Sequence, residues 1–501
     1  MRKKFLLVLM ILSIVGANIF AGGSSAPSQG DPKELRIMIR NIGMANTNDN
    51  IINRELEKRT GFKLDWVLGP SDGYAQVTNT IIASGDYPDA MEYQGTYPKG
   101  VLDLAEDGVI RPLDDLLRLY GSEFTPDIRP DWIWINHKDG KRYSIPCRYW
   151  NLGTNRAIVV RKDWMNKLGL QVPYNSEAFF NMLTTFAANA EKLVGPGKRI
   201  IPLGVASGMN FDTYFLDFLY SENEMITGWN WVDGKLVYMV NMPAYKNALQ
   251  TYRKFYQAGL IEPEYPIVSS RDEYMNRIMG NQYFAFAWYS DAIDEAKNIQ
   301  IAQIYNALPE LRNNLELIPF FRDKNGGHRF AYQYHSTQQM VIFKKTPEEK
   351  AVNVMKLLNY MVSKNGSNLL ELGIEGEHFT IDSSGKNIAK DLSAQEQAKL
   401  GIWNYEWCMK RTYLNKLSDY SMNWLTGEAG VAHSIMSPLS YGAAQLQYGS
   451  ALTSLQNQYV LELVTKRDIN FDTVFNEMVN TWNAQGGAQI TKEMNDLYAG
   501  K

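Results

Sequence analysis

A chain of 501 residues with 45% hydrophobic and 21% charged residues is globular and too long for one core, so two or three domains are expected. A formal net charge of -3, with no long run of one sign, gives no electrostatic footprint for nucleic acid. The unusual feature is 12 Trp, 29 Tyr and 20 Phe, an aromatic excess that suits both cores and stacking sites.

The first segment reads as a targeting signal. Arg2, Lys3 and Lys4 form a positive start, "FLLVLMILSIVGANIF" is the apolar stretch, and "AGGSS" supplies small residues for cleavage. The expectation is a signal peptide over 1–21, removed after Ala21, which takes the net charge from -3 to -6. No Cys lies near the cut for lipid attachment, so a periplasmic protein is expected. Cys147 and Cys408 are the only two cysteines, and spacing alone does not say whether they pair.

"GGSSAPSQGDPK" (22–33) reads as a flexible leader. "LRIMIR" (35–40), "FKLDWVL" (62–68) and "DAMEYQG" (89–95) read as strands. Between them, 49–61 and 74–85 read as helices, each closed by glycine, with Ile51, Ile52 and Leu56 on one face of the first. This rhythm predicts a parallel sheet with helices on both faces. Ligands of such sheets bind beyond the carboxyl ends of strands, which puts Asn41, Tyr93, Gln94 and Gly95 near a site.

Residues 139–170 read as a crossing: a turn at Asp139-Gly140, a strand to Pro146, then "AIVVR" opening a new series whose first helix ends at Gly169. Helices follow near 176–192 and 243–258, and "NQYFAFAWYSD" (281–291) is an apolar strand with Trp288 and Tyr289 at its exit. The next strand ends at Phe343. Thr346, Pro347 and Glu349 then spell a capping box, with Ala351, Val352, Met355, Leu358 and Tyr360–Val362 as the buried stripe. A second helix ends at Gly373, so "IEGEHF" leaves a helix as a loop. The last hundred or so residues read as mostly helical, and no internal repeat is visible.

The blocks "TGFKLDW", "ASGDYPDAMEY", "DGVIRPLDDLLRLYG", "DGKRYSIP", "VVRKDWMNKLGLQVP", "WVDGKLVY", "KFYQAGLIEPE", "TPEEKAVNVMKLLNYM" and "LGIEGEHF" occur in that order. In this the chain resembles the bacterial extracellular solute-binding proteins of family 1, and more narrowly their LipO and alginate-oligosaccharide-binding branch. The resemblance implies an α/β, two-lobed periplasmic-binding-protein fold, each lobe a mostly parallel sheet flanked by helices, joined by crossing hinge strands. It implies lobe I over 34–148 and 337–390, lobe II over 149–336 and 391–501, and crossings near 145–155, 333–340 and 385–400. It also implies a carbohydrate ligand held in the cleft, delivery to the permease subunits of an ABC importer, a monomer, and no chemistry on the ligand. Calcium loops of some relatives are Asp/Asn-rich. Here "NAEKLVGPGKRIIPL" (189–203) offers Glu191 as its only carboxylate, so no metal and no cofactor are expected.

Glu375 and His378 invite three readings. A hydrolytic pair needs two carboxylates held across a bond, and Glu375 and Glu377 sit two apart on a loop. A metal site needs further ligands at set spacing, and the chain has only five His. The remaining readings are a structural loop or a cleft contact. Sugar rings present C–H faces to aromatic side chains and hydroxyls to planar polar groups. Trp288, Tyr289, Tyr149, Trp150, Tyr334, His335, Trp403 and Trp407 are therefore candidate ligand contacts beside Gln94, Asn41, Glu375 and His378, with Trp424 a further wall residue. The rival classes are an exported glycoside hydrolase or lyase, and a ligand sensor for a membrane receptor.

Overall fold

The structure, a computed structural model, describes residues 31–40, 48–70, 73–94, 99–124, 139–147, 156–207, 211–268, 270–293, 299–332, 338–383, 385, 387–402, 405, 420, 423–428, 434–436 and 442–499. The expected signal peptide and most of the leader lie outside this set, as does Cys408; Cys147 is buried.

The first half opens with β1 (Glu34–Arg40), α1 (Ile51–Thr60), β2 (Lys63–Gly69), α2 (Tyr74–Ser84) and β3 (Ala90–Gln94). Helices α3 (Lys99–Glu106) and α4 (Asp114–Tyr120) and the short β4 (Ile145–Pro146) follow. The ends of α1 follow from its sequence. The Asn50 side chain accepts from the Asn53 amide at 2.8 Å, and Gly61 takes φ +72° so that its N–H closes on Glu57 O. Strands β1, β2 and β3 are mutually parallel, as the rhythm predicts.

The second half holds β5 (Arg156–Arg161), α5 (Lys162–Leu168), α6 (Ser176–Val194), β6 (Ile201–Gly204) and α7 (Phe211–Glu222). It continues with the hairpin β7 (Trp229–Val232) and β8 (Lys235–Tyr238), then α8 (Pro243–Gln257), α9 (Arg271–Met279), β9 (Tyr283–Tyr289), α10 (Ile299–Ala307), β10 (Leu315–Leu317) and β11 (Phe330–Tyr332). The chain then returns to the first half with β12 (Gln338–Ile342), α11 (Glu348–Val362), α12 (Lys364–Leu372), the hairpin β13 (Phe379–Ile381) and β14 (Asn387–Ala389), and α13 (Ala394–Leu400). Helices over Ala443–Thr465, Phe471–Trp482 and Ala488–Tyr498 end it.

Both sheets are mixed. The first has strand order β2-β1-β3-β12-β4, with β12 antiparallel to β3 and to β4. The second, β10-β5-β9-β6, is parallel only between β6 and β9. Strand alternation splits the first half into two apolar layers. Leu35, Ile37 and Ile39 pack with Leu56, Met355 and Leu358, while Met38 and Met91 pack on the other face with Tyr74, Leu104 and Phe343. The second half has one large core around β5 and β9, to which the terminal helices add Leu463, Phe475 and Met494.

Two expectations need correction. Thr346 does not cap α11, which begins at Glu348 with no side-chain cap. Its hydroxyl donates instead to Asp89 O at 2.9 Å, satisfying a carbonyl at the mouth of β3. The lobe boundary expected at 390 also falls later in the chain. Ile402 and Tyr405 belong to the first core, and Asn50 donates to the Tyr405 hydroxyl at 2.8 Å. Tyr420 reaches β10 in the second half, donating to Glu316 at 2.5 Å. Tyr405 thus packs with the first half and Tyr420 with the second.

Candidate functional site

Chain direction fixes which ends of the two sheets face the passages between them. The chain leaves β4 at Pro146 and enters β5 at Arg156; it leaves β11 at Tyr332 and enters β12 at Gln338. Because β12 runs against β3, Gln338 sits beside Gln94 and Gln339 beside Tyr93. In the second sheet Arg156 sits opposite Tyr289, the last residue of β9, and parallel β6 ends at Gly204 next to Phe286. The carboxyl ends of β1, β3, β6 and β9 thus meet the passages together, where open α/β sheets bind ligands.

The first wall is polar and buried. Glu92, Gln339 and Ser144 are fully covered, Gln338 nearly so. Arg40 N donates to Glu92 Oε2 at 3.0 Å, the Tyr74 hydroxyl donates to Glu92 O at 2.8 Å, and Ser144 Oγ donates to Gln339 Oε1 at 3.0 Å. Carboxylate, amide and hydroxyl groups at strand ends are the planar and rotatable partners that a polyol needs. Beside them burial, helped by Asp103, raises the Tyr93 phenol pKa.

The second wall is aromatic and cationic. Arg156 pairs with Asp217 at 2.5 Å, and its guanidinium carbon lies 5.0 Å from the Tyr214 ring centre. Tyr214 meets Tyr289 edge-on, centroids 5.9 Å apart at 63°. Arg271 Nη2 stands 3.5 Å from the Tyr289 hydroxyl. Burial holds the Tyr214 phenol well above its usual range.

The expected contacts distribute unevenly. Tyr289 is half-buried at the end of β9. Trp288 does not leave the strand toward solvent as its neighbours Ser290 and Asp291 suggest. The indole is 1% exposed, and Ser290, also 1% exposed, begins a tight helical turn to Ile293 that folds over the strand end. Trp288 therefore packs in the second core, with no free ring face for a sugar. Trp424 is buried as well, against Phe320. Gln94 is placed by its backbone alone. Asn41, Tyr149, Trp150, Tyr334, His335, Trp403 and Trp407 lie outside the described residues.

The Glu375–His378 loop is a compact turn on the C-terminus of α12. His378 Nδ1 accepts from Ile374 N at 3.0 Å, and His378 N donates to Ile374 O at 2.8 Å. A ring nitrogen accepting an amide proton acts as a local cap, which gives His378 a part in the loop's own hydrogen bonding. Glu375 and Glu377 are exposed. Among the described residues no group of three or more His, Cys, Asp or Glu is placed to hold a metal ion.

Sequence reasoning missed Glu92, Ser144, Gln339, Arg156, Tyr214 and Asp217. A signal existed for some: Glu92 is a lone carboxylate inside "AMEYQ", and Gln338-Gln339 heads an otherwise apolar strand. Such residues are almost never fully buried unless paired, so a polar side chain within a strand run points to a site.

Residues 44–367 match the family model described as bacterial extracellular solute-binding protein. The fructooligosaccharide ABC transporter substrate-binding protein FusA of Streptococcus pneumoniae serotype 4 is 29% identical over 262 residues, 48% of this chain and 47% of that one. The match thus spans about half of that relative. Lipoprotein LipO of Bacillus subtilis (strain 168) is 22% identical over 99% of this chain and 98% of its own. A solved HMO-binding, ABC-transporter-associated solute-binding protein from Bifidobacterium longum infantis superposes with TM-score 0.68, at 17% identity, over 94% of this chain and all of that one. At that identity it shows the shared fold.

Proposed function

Because the chain belongs to the bacterial extracellular solute-binding protein family, we propose that it captures a carbohydrate of oligosaccharide size between the facing ends of its two sheets and hands it to the permease of an ABC importer. What supports this reading is the presence of polar groups (Glu92, Ser144, Gln338, Gln339) behind the strand ends of one sheet and of half-buried Tyr289, backed by Tyr214, at the strand end of the other, where the chain passes between the two. Neither wall alone matches a sugar, which has hydroxyl rims and C–H faces. Ligand touching both walls favours the closed arrangement by its differential affinity. The names of the relatives, a fructooligosaccharide-binding and an HMO-binding protein among them, support the ligand class.

On this reading the protein is exported as a monomer, trimmed near Gly22, and leaves its ligand chemically intact. Among the described residues no helix is long and apolar enough to cross a membrane. A thermal-shift screen over neutral and acidic oligosaccharides tests the ligand class. A ligand at a hundred times its Kd adds about 2.7 kcal/mol to stability, an upward shift of several degrees. Silence across the panel, or cleavage of a labelled oligosaccharide by the purified chain, would overturn the proposal. Mass spectrometry of the exported protein tests the mature start.

A further inference from the structure

Arg156 is the first residue of β5 after the passage, and Asp217 reaches it from α7. The two side chains are 27% and 6% exposed and 2.5 Å apart. A buried ion pair is a poor way to gain stability, since apolar residues of similar volume do as well or better. What this pair does add is geometry. The guanidinium is planar, so it can bind a carboxylate through its edge while presenting its face to an aromatic ring. Arg156 does both: it holds Asp217 and lies over Tyr214 at 5.0 Å. Tyr214, only 6% exposed, in turn meets Tyr289 edge-on at 5.9 Å. Tyr289 is also the cross-strand partner of Arg156 in the β5–β9 ladder, so the backbone and side-chain routes converge on one residue.

We propose that the Arg156–Asp217 pair is a positioning device that fixes Tyr214, and through it the Tyr289 ring, as the sugar-facing edge of the second wall. This rests on reading the strand ends as the carbohydrate site. Arg156 is a positioning residue here, not a ligand contact. Its charge is neutralised by Asp217, so the pair presents an oriented ring without presenting a net charge.

The test uses the full mature chain carrying 3-fluorotyrosine, with the Tyr289 resonance assigned through Tyr289→Phe. Removing one partner alone leaves a buried charge and confounds folding, so the informative variant is the double one, Arg156→Met with Asp217→Leu. The expected result has three parts. The melting temperature stays within about 3 °C of the parent, as apolar replacement of a buried pair allows. The Tyr289 fluorine resonance shifts or broadens. Affinity for kestose, by calorimetry, falls about tenfold or more. Arg156→Lys, which keeps the charge and loses the planar face, should move the same resonance in a fold as stable as the parent, and it decides the matter if the double variant does not fold. An unmoved Tyr289 resonance in the variants would overturn the proposal. Kestose binding by the parent tests the carbohydrate reading separately, because the fluorine signal reports on the pair whether or not kestose binds.

Discussion

Trp288 lies nearly parallel to Tyr274, ring centroids 6.2 Å apart and planes at 16°, on the face of β9 that the second core covers. The Tyr274 hydroxyl is held between Gly204 O at 2.8 Å and Ala287 O at 3.0 Å, which ties this stack to β6 and β9 together. The indole is buried in this core against Tyr274, and Trp288→Ala should leave a cavity costing about 3–5 kcal/mol. Trp288→Phe, which retains a ring against Tyr274, should cost less. Urea unfolding of the three proteins checks this. A midpoint unchanged in Trp288→Ala would mean that the ring does not support the core.

The first half was largely legible in the sequence. Strands β1, β2 and β3 and the glycine stops of α1 and α2 follow from local periodicity and from backbone conformations that glycine adopts freely. Trp288 was misjudged because two polar residues after a strand signal an exit to solvent only if the chain continues outward, and here it turns back. Thr346 was misjudged for a related reason. A capping box is a local motif, whereas the carbonyl that takes its hydroxyl, Asp89 O, is 257 positions away. The Arg156–Asp217–Tyr214 cluster draws on β5 and α7, 61 positions apart across the pair, and no window along the chain brings them together.

Asp212 opens α7 with its Oδ1 buried and without a hydrogen-bond partner among the described residues. Burial pushes its carboxyl up to about 6, against a smaller pull downward from the amides of Thr213 and Asp212 itself. The unfolded chain has the ordinary value of 3.8. Between these two values the folded protein binds more protons than the unfolded one, so this group makes stability fall as pH rises through that window. The deficit is complete above about pH 6 and is on the order of 2–3 kcal/mol. Asp212→Asn should raise stability at pH 7.5 and change little at pH 4. Paired unfolding curves at the two pH values check it, and an equal gain at both would remove the carboxyl as the cause.

Gly373 ends α12 at φ +94°, and a Cβ there would stand 2.8 Å from His378 Cβ and Nδ1. Gly373→Ala therefore meets backbone strain and a clash with the ring that caps Ile374. It should destabilise the chain by about 1–3 kcal/mol. His378→Ala removes only the Nδ1 acceptor and should cost about 1 kcal/mol. Glu375→Gln, at an exposed position with neither constraint, should leave stability within about 0.5 kcal/mol. Melting curves rank the three. Glu375→Gln as the most damaging of them would give that carboxylate a role the loop geometry does not.

Glu262 is fully buried at the far end of the second sheet, where Arg277 Nη1 reaches it at 2.9 Å and the Tyr283 hydroxyl donates at 3.0 Å. Arg277 also binds Glu264 at 2.8 Å and Glu273 at 2.9 Å, so one guanidinium holds three carboxylates from α9 and the segment before it. Burial, reinforced by Glu262, raises the Tyr283 phenol pKa far above its usual range. Removing Arg277 leaves Glu262 with a phenol, the Glu264 amide and, at 3.9 Å, the largely exposed Arg199 guanidinium, a longer and more solvent-screened partner. Arg277→Leu should therefore cost about 3–5 kcal/mol, the usual result of orphaning a buried charge. Adding Glu262→Leu removes the orphan and should restore much of the loss, leaving only the exposed contacts to Glu264 and Glu273, worth about 0–1 kcal/mol each. A double variant no more stable than Arg277→Leu would place the stabilisation in those outer contacts instead.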